Sequence, residues 1–275
     1  MTAHSSIAGI PLVLGGNVFG FTADEDASFA ILDRFYEHGG RMVDTAQGYS
    51  VWVPGHVGGE SEAVIGKWLA SRGVRAEMRI ATKTGMFGKP GDLTPERVHA
   101  ELQRSLERLQ CEYVHLYYAH RDEPETPLEE VAQGFDALVK SGQVREIGLS
   151  NYGAGRLRAM CDITHSNGTT PFTILQNEYN LENRADEDVL LTCEKDGIAF
   201  IPWYPLGAGS ALKSGKVKRI AARLSATPSQ VAIAWLLAHS PVMLPIPGTS
   251  SLRHLEENAA AAELRLLESD LAELA

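Results

Sequence analysis

Short apolar runs alternate with longer amphipathic stretches along the whole chain. Eight of the runs read as strands: Leu12–Gly16, Arg41–Thr45, Arg79–Thr82, Tyr113–Tyr118, Glu146–Ser150, Thr173–Gln176, Ile198–Trp203 and Val242–Ile246. Between them, apolar positions recur at helical spacing. After Pro95, the residues Val98, Leu102, Leu106 and Leu109 make one stripe, with Glu101, Arg104 and Glu107 elsewhere. After Pro127, Leu128, Val131, Phe135 and Leu138 do the same. A helix with one such stripe buries it against a sheet.

Helix starts are marked by Thr94-Pro95, Thr126-Pro127 and Thr227-Pro228, a capping threonine before proline at the first helical position. Glu129 and Gln230 stand where they complete capping boxes with Thr126 and Thr227. Strands that alternate with helices predict a parallel α/β sheet, and eight βα units predict a (β/α)8 TIM barrel. No linker, low-complexity tract or composition shift divides the chain, so residues 1–275 are expected to form a single domain.

A barrel of this kind collects its chemistry where strands end and βα loops begin. Asp44, Lys83, His120, Ser150, Gln176 and Trp203 all fall at such ends, and Tyr49 follows Asp44 in the loop above. A phenol, an ammonium with a carboxylate partner and an imidazole form a proton-donating set for a carbonyl oxygen. A free tyrosine has a pKa near ~10, and a neighbouring ammonium is expected to lower it. Lys83, at the end of an apolar strand, needs a carboxylate, and Asp44 on the preceding strand supplies one. His115 is expected to alternate away from the barrel interior, and no histidine pairs with acidic residues as a metal site would require.

The totals narrow the class. With 44% hydrophobic and 22% charged residues the composition is that of a globular protein. A formal charge of −10 argues against nucleic acid as a partner. No apolar run approaches the ~18 residues that span a membrane, and Met1–Ser6 shows no secretory pattern. Cys111, Cys161 and Cys193 are odd in number and scattered, which fits reduced thiols and a cytoplasmic protein. No exposed heptad or large apolar strand edge is evident, so a monomer is expected. There is no Gly-x-Gly-x-x-Gly after a strand, so a Rossmann site is not indicated.

Val43-Asp44-Thr45-Ala46 with Tyr49, Ala81-Thr82-Lys83, Leu116-Tyr117-Tyr118-Ala119-His120 and Gly148-Leu149-Ser150-Asn151, in this order, resemble the aldo-keto reductases. The likeness covers nearly the whole chain and is to a short bacterial-type member. It implies a catalytic tetrad of Asp44, Tyr49, Lys83 and His120, with Tyr49 as general acid, and a short N-terminal hairpin closing the barrel bottom. It also implies a nicotinamide cofactor, held by Gly16, Asn17 and Asp44 and, through its carboxamide, by Ser150, Asn151 and Gln176. Trp203-Tyr204-Pro205-Leu206-Gly207 resembles the family's Tyr-Ser-Pro-Leu-Gly, which puts Trp203 against the nicotinamide ring.

The last cofactor string runs from Ile246 through Pro247, Gly248, Thr249, Ser250 and Ser251 to Arg253, His254, Glu257 and Asn258. The family grips the adenosine 2′-phosphate with a lysine and an arginine where this chain has Gly248 and His254. Hydroxyls, backbone N–H groups and Arg253 remain for that anion, so NADPH is expected, with NADH as the alternative.

Two loops depart from the family plan. Ser50–Gly59 is inserted after Tyr49 and offers Trp52 and His56 to a small-molecule carbonyl substrate. The stretch from Ala208 to Lys218 is short where many members carry a belt over the cofactor. Two rival readings stay open: a Schiff-base lyase using Lys83, and a nicotinamide-binding regulatory subunit like the potassium-channel β-subunits.

Overall fold

A computed structural model describes residues 10–209 and 211–275. Seven parallel strands form one sheet in chain order: β1 (Leu14–Gly15), β2 (Met42–Asp44), β3 (Arg79–Thr84), β4 (Val114–Ala119), β5 (Val144–Ser150), β6 (Ile174–Glu178) and β7 (Ala199–Trp203). Helices α1 (Glu25–Glu37), α2 (Glu60–Arg72), α3 (Pro95–Leu109), α4 (Leu128–Lys140), α5 (Ala154–Asn167) and α6 (Glu187–Asp196) connect successive strands. Four more follow β7: α7 (Gly215–Arg223), α8 (Pro228–His239), α9 (Leu252–Ala260) and α10 (Glu268–Leu274).

The eighth expected strand, Val242–Ile246, is not a regular one. Pro245 and Pro247 carry no N–H to enter a ladder, so this stretch pairs through few groups. Phe200 donates its N–H to the Val242 carbonyl and accepts from Leu244, both at 2.8 Å. On the other side the Pro245 and Pro247 carbonyls accept from Val13 at 3.0 Å and Gly15 at 3.1 Å. The stretch therefore bonds to both edges of the seven-stranded sheet. The expected N-terminal hairpin falls largely on residues 1–9, outside the described residues.

Strand alternation sorts the core into two layers. Val13, Met42, Ala81, Leu116, Tyr118 and Ile201 pack together inside the curled sheet. Leu14, Ile80, Tyr117, Ile147 and Leu149 join the helices outside it. The stripes on α3 and α4 are buried as their spacing requires, but Glu101 is buried with them, 4% exposed, and paired with Arg97 and Arg104. His115 faces out from β4, its ring 5.3 Å from that of Tyr113.

Thr227 forms the expected capping box with Gln230. Thr126 does not form one with Glu129, and α4 begins a residue later, at Leu128. The reason is a competing acceptor. The Glu123 carboxylate takes the Thr126 hydroxyl and also the N–H groups of Glu125 at 2.8 Å, Thr126 at 3.1 Å and Gly91 at 3.2 Å. Thr94 caps α3 by position, but its hydroxyl donates to the Gly91 carbonyl at 3.2 Å rather than capping the helix. Among the described residues no helix is long and apolar enough to cross a membrane, and no group of metal-ligating side chains is found.

Candidate active site

Parallel strands all end on the same side, so their last inward side chains converge there. Asp44 ends β2 and Lys83 lies near the end of β3, both fully buried. Lys83 Nζ donates to Asp44 Oδ1, to the Thr45 carbonyl at 2.8 Å and to the Tyr49 hydroxyl at 2.9 Å. Three N–H groups thus meet three acceptors. Tyr49 also donates to Asp44 Oδ1 at 3.3 Å, and its ring lies 6.0 Å from that of His120.

Burial holds the Tyr49 phenol well above its usual pKa, and the Asp44 carboxylate adds to the effect. The sequence pointed the other way, because it paired Tyr49 with the ammonium alone. With Asp44 neutralising Lys83, desolvation decides the direction. Burial also lowers the Lys83 pKa against the pull of Asp44. His120 is held well below its usual value by burial, then by Lys83 and Arg121. The site therefore holds a protonated phenol beside a neutral imidazole.

The far oxygen of Asp44, Oδ2, accepts from Gln176 Nε2 at 3.0 Å. Asn151, at a positive φ of 60° just past β5, donates to the His120 carbonyl at 2.8 Å and to Ser150 Oγ at 3.1 Å. Its Oδ1 accepts from the Trp203 indole at 3.2 Å. One side chain thus ties the His120 backbone to the Trp203 ring.

A cavity of about 630 Å³ opens above this network, and Asp44 and Lys83 lie beneath its lining. Of the residues the sequence assigned to a cofactor, Asn17, Ser150, Asn151, Gln176, Trp203, Tyr204, Pro205, Leu206, Ile246 and Gly248 line it. Tyr49, His120 and Trp52 line it too. Gly16 sits behind the wall, its N–H on the Asp44 carbonyl at 2.8 Å. A Cβ at Gly248 would lie 2.5 Å from Asn17 Oδ1, so a side chain there would displace Asn17.

Other assigned residues do not line the cavity. His56 is half-buried in the inserted loop, and its Nδ1 has no partner among the described residues. Gly207 opens a short 3-10 turn, Gly207–Gly209. Thr249 Oγ1 accepts from the Ser251 N–H at 3.1 Å, and Ser251 caps α9. Ser250 is exposed, and Asn258 is buried on α9. Arg253 donates to Glu257 Oε1 at 2.6 Å and stands 2.9 Å from His254 Nε2.

Pro247 of the last cofactor string lines the cavity as well, and so do Gly15, Met86, Arg121 and Gly209, which were not singled out from the sequence. Arg121 had a signal, its place directly after His120 at a strand end. Met86 sits in a loop whose path no periodicity reveals.

A model of the aldo/keto reductase family matches residues 11–275. An uncharacterized oxidoreductase of Schizosaccharomyces pombe is 35% identical, over 95% of this chain and 82% of its own. An aldo-keto reductase of the same yeast, named for NADP(+), is 30% identical over 92% of this chain and 82% of its own. The solved structure of a thermostable aldo-keto reductase with the inhibitor epalrestat superposes with a TM-score of 0.83 at 31% identity, covering 96% of this chain and 93% of that one. The chain belongs to the aldo/keto reductase family.

Proposed function

We propose that this protein is a nicotinamide-dependent carbonyl oxidoreductase in which Tyr49 is the general acid. The observation that carries the reading is the contact of one phenol with both a buried ammonium, at 2.9 Å, and a cavity that also holds His120.

The donor set suits a carboxamide. Gln176 spends Nε2 on Asp44, which leaves Oε1 for an amide N–H. Ser150 Oγ accepts from Asn151, which leaves its O–H for an amide carbonyl. Trp203 offers a ring face beside them. A nicotinamide bound there supplies hydride to a carbonyl carbon, or takes it from an alcohol.

This chain's own part is the proton. The substrate oxygen is placed between the Tyr49 hydroxyl and the neutral His120 ring, which orients it by hydrogen bonding. As charge develops on that oxygen, the Tyr49 O–H proton passes to it, and Lys83 Nζ stabilises the phenolate left behind. Asp44 holds Lys83 in place and charged. The burial that raises the phenol's pKa keeps the proton on Tyr49 until the substrate oxygen takes it.

NADPH is the proposed cofactor, supported by the NADP(+)-named relative and by Arg253 near the start of α9. A cytoplasmic monomer remains the proposed state. A Schiff-base role for Lys83 is disfavoured, since all three of its N–H groups are engaged. The test is a panel of aldehydes and ketones with NADPH and with NADH, run on the parent and on Tyr49→Phe. Turnover should fall about 10²–10⁴-fold in the variant while cofactor binding persists. Undiminished turnover would remove Tyr49 from the role. A parent that binds the cofactor but reduces nothing would favour the regulatory subunit.

A further inference from the structure

Arg121 is an exposed cation in the cavity wall, without a counter-ion among the described residues. It follows His120 in the loop after β4, and it lines the same cavity as Tyr49, His120, Trp52 and Met86. Among the described residues its guanidinium makes no ion pair and no side-chain hydrogen bond.

The two acids next to it are engaged elsewhere. Asp122 is held by Arg156 through Nε at 2.9 Å and a terminal nitrogen at 2.8 Å. Glu123 is saturated by the backbone of Gly91, Glu125 and Thr126. Deeper in the site Asp44 and Lys83 neutralise each other. That leaves one net positive charge facing the cavity, in a chain whose total is −10.

Arg121 is exposed, but its stem is placed. A Cβ at Gly88 would stand 3.1 Å from Arg121 Cδ, so the loop after β3 runs along the arginine stem. Its field already reaches the imidazole, where it helps to keep His120 neutral. Of the lining residues not assigned to the cofactor, Trp52 and Met86 are apolar or aromatic and stand with Tyr49 and His120 in the same wall. In strand order β4 stands opposite the stretch 242–248, and the proposed cofactor contacts come from β5 to β7, from that stretch onward and from Gly16, Asn17 and Asp44 at β1 and β2, none of them from β3 or β4. Arg121 therefore belongs to the substrate's side.

We infer that Arg121 recognises a carboxylate on the carbonyl substrate, an aldehyde or ketone with an apolar or aromatic body and an acid group at its far end. A guanidinium presents a planar fork that matches a carboxylate with two parallel hydrogen bonds. The inference rests on the carbonyl-reductase reading, and the experiment separates the two.

Steady-state rates are measured with 4-carboxybenzaldehyde and with its methyl ester, which keeps the shape and removes the charge. The parent should prefer the acid at least tenfold in kcat/KM, and added salt should narrow that preference. Arg121→Gln should reduce the acid-to-ester ratio about ten- to a hundredfold, mainly through KM, and Arg121→Lys should restore part of it. An acid-to-ester ratio near one in the parent, or one that Arg121→Gln leaves unchanged, overturns the inference. If neither aldehyde is reduced, the reductase reading fails, and calorimetric binding of 4-carboxybenzaldehyde decides the arginine's role. Binding at least tenfold tighter to the parent than to Arg121→Gln supports the anion site, and equal binding overturns it.

Discussion

Gln176 donates to the one oxygen of Asp44 that Lys83 does not touch, at 3.0 Å, so both oxygens of a fully buried carboxylate have partners. The sequence placed Gln176 on the cofactor's carboxamide. The structure adds a second duty, in which Gln176 fixes the carboxylate that fixes Lys83. Gln176→Leu removes the donor and leaves Asp44 Oδ2 buried and unpaired. The expected loss of stability is about 1–3 kcal/mol, read from urea unfolding with an unchanged slope. A loss below about 0.5 kcal/mol would mean that the bond contributes nothing in solution.

His115 gives a pH dependence whose sign can be worked out. Burial, then Arg75, Arg79 and Arg145, push its imidazole down to about 4. In the unfolded chain the same group titrates near ~6.5. Between those values the unfolded state binds a proton that the folded state refuses, so stability is full above ~6.5 and falls as the pH drops towards 4. His115→Gln should flatten the stability curve between about pH 6.5 and 5, a window chosen above most carboxylate titrations. Equal slopes for parent and variant would rule out His115 as a source of acid sensitivity.

Trp203 is held edge-on by Asn151, through its indole N–H at 3.2 Å, and that bond separates two roles. Trp203→Phe keeps a ring for stacking and loses the donor, while Trp203→Ala loses both. Cofactor binding should weaken by about 0.5–1.5 kcal/mol beyond simple area loss in the alanine variant and much less in the phenylalanine variant. If both variants bind as the parent does, the neighbouring Tyr204, which is 54% exposed, becomes the stacking ring.

The fold was legible where pattern and backbone agreed. Seven of the expected strands form, because runs such as Tyr113–Tyr118 carry enough β-branched and aromatic residues to fill both faces of a buried sheet. Val242–Ile246 reads as an eighth by its apolar residues, but prolines at 245 and 247 remove the donors that a regular ladder needs. Asp44, Lys83 and His120 converge because each stands at a strand end, and Tyr49 joins them from the turn after β2. What pattern did not reveal lies in loops and in competition between partners. Thr126 bonds Glu123 instead of capping a helix, and Asn151 is shared among three neighbours. Neither outcome follows from sequence spacing, because each depends on which acceptor the folded chain brings nearest.

The start of α9 offers the sharpest test of cofactor choice. Gly248 stands where a side chain would strike Asn17, so no cation projects from that position, and Arg253 near the start of α9 is the proposed replacement. In the free protein Arg253 is bonded to Glu257 at 2.6 Å, one helical turn away, with the arginine 72% exposed and the glutamate 19%. Such pairs are worth about 0.3–0.5 kcal/mol. A charge-assisted bond to a 2′-phosphate is worth about 1.5–3 kcal/mol, so the phosphate should draw the guanidinium away. NADPH should then bind more tightly than NADH, and salt should narrow the gap. Arg253→Ala should weaken NADPH roughly ten- to a hundredfold with little effect on NADH, while Glu257→Gln, which frees the arginine, should raise the NADPH preference about twofold. Equal affinity for the two cofactors in the parent at low salt would sink this assignment. Gly248 and His254 would then mark a dual or NADH-using enzyme, in which Asp44, Tyr49, Lys83 and His120 keep their proposed roles.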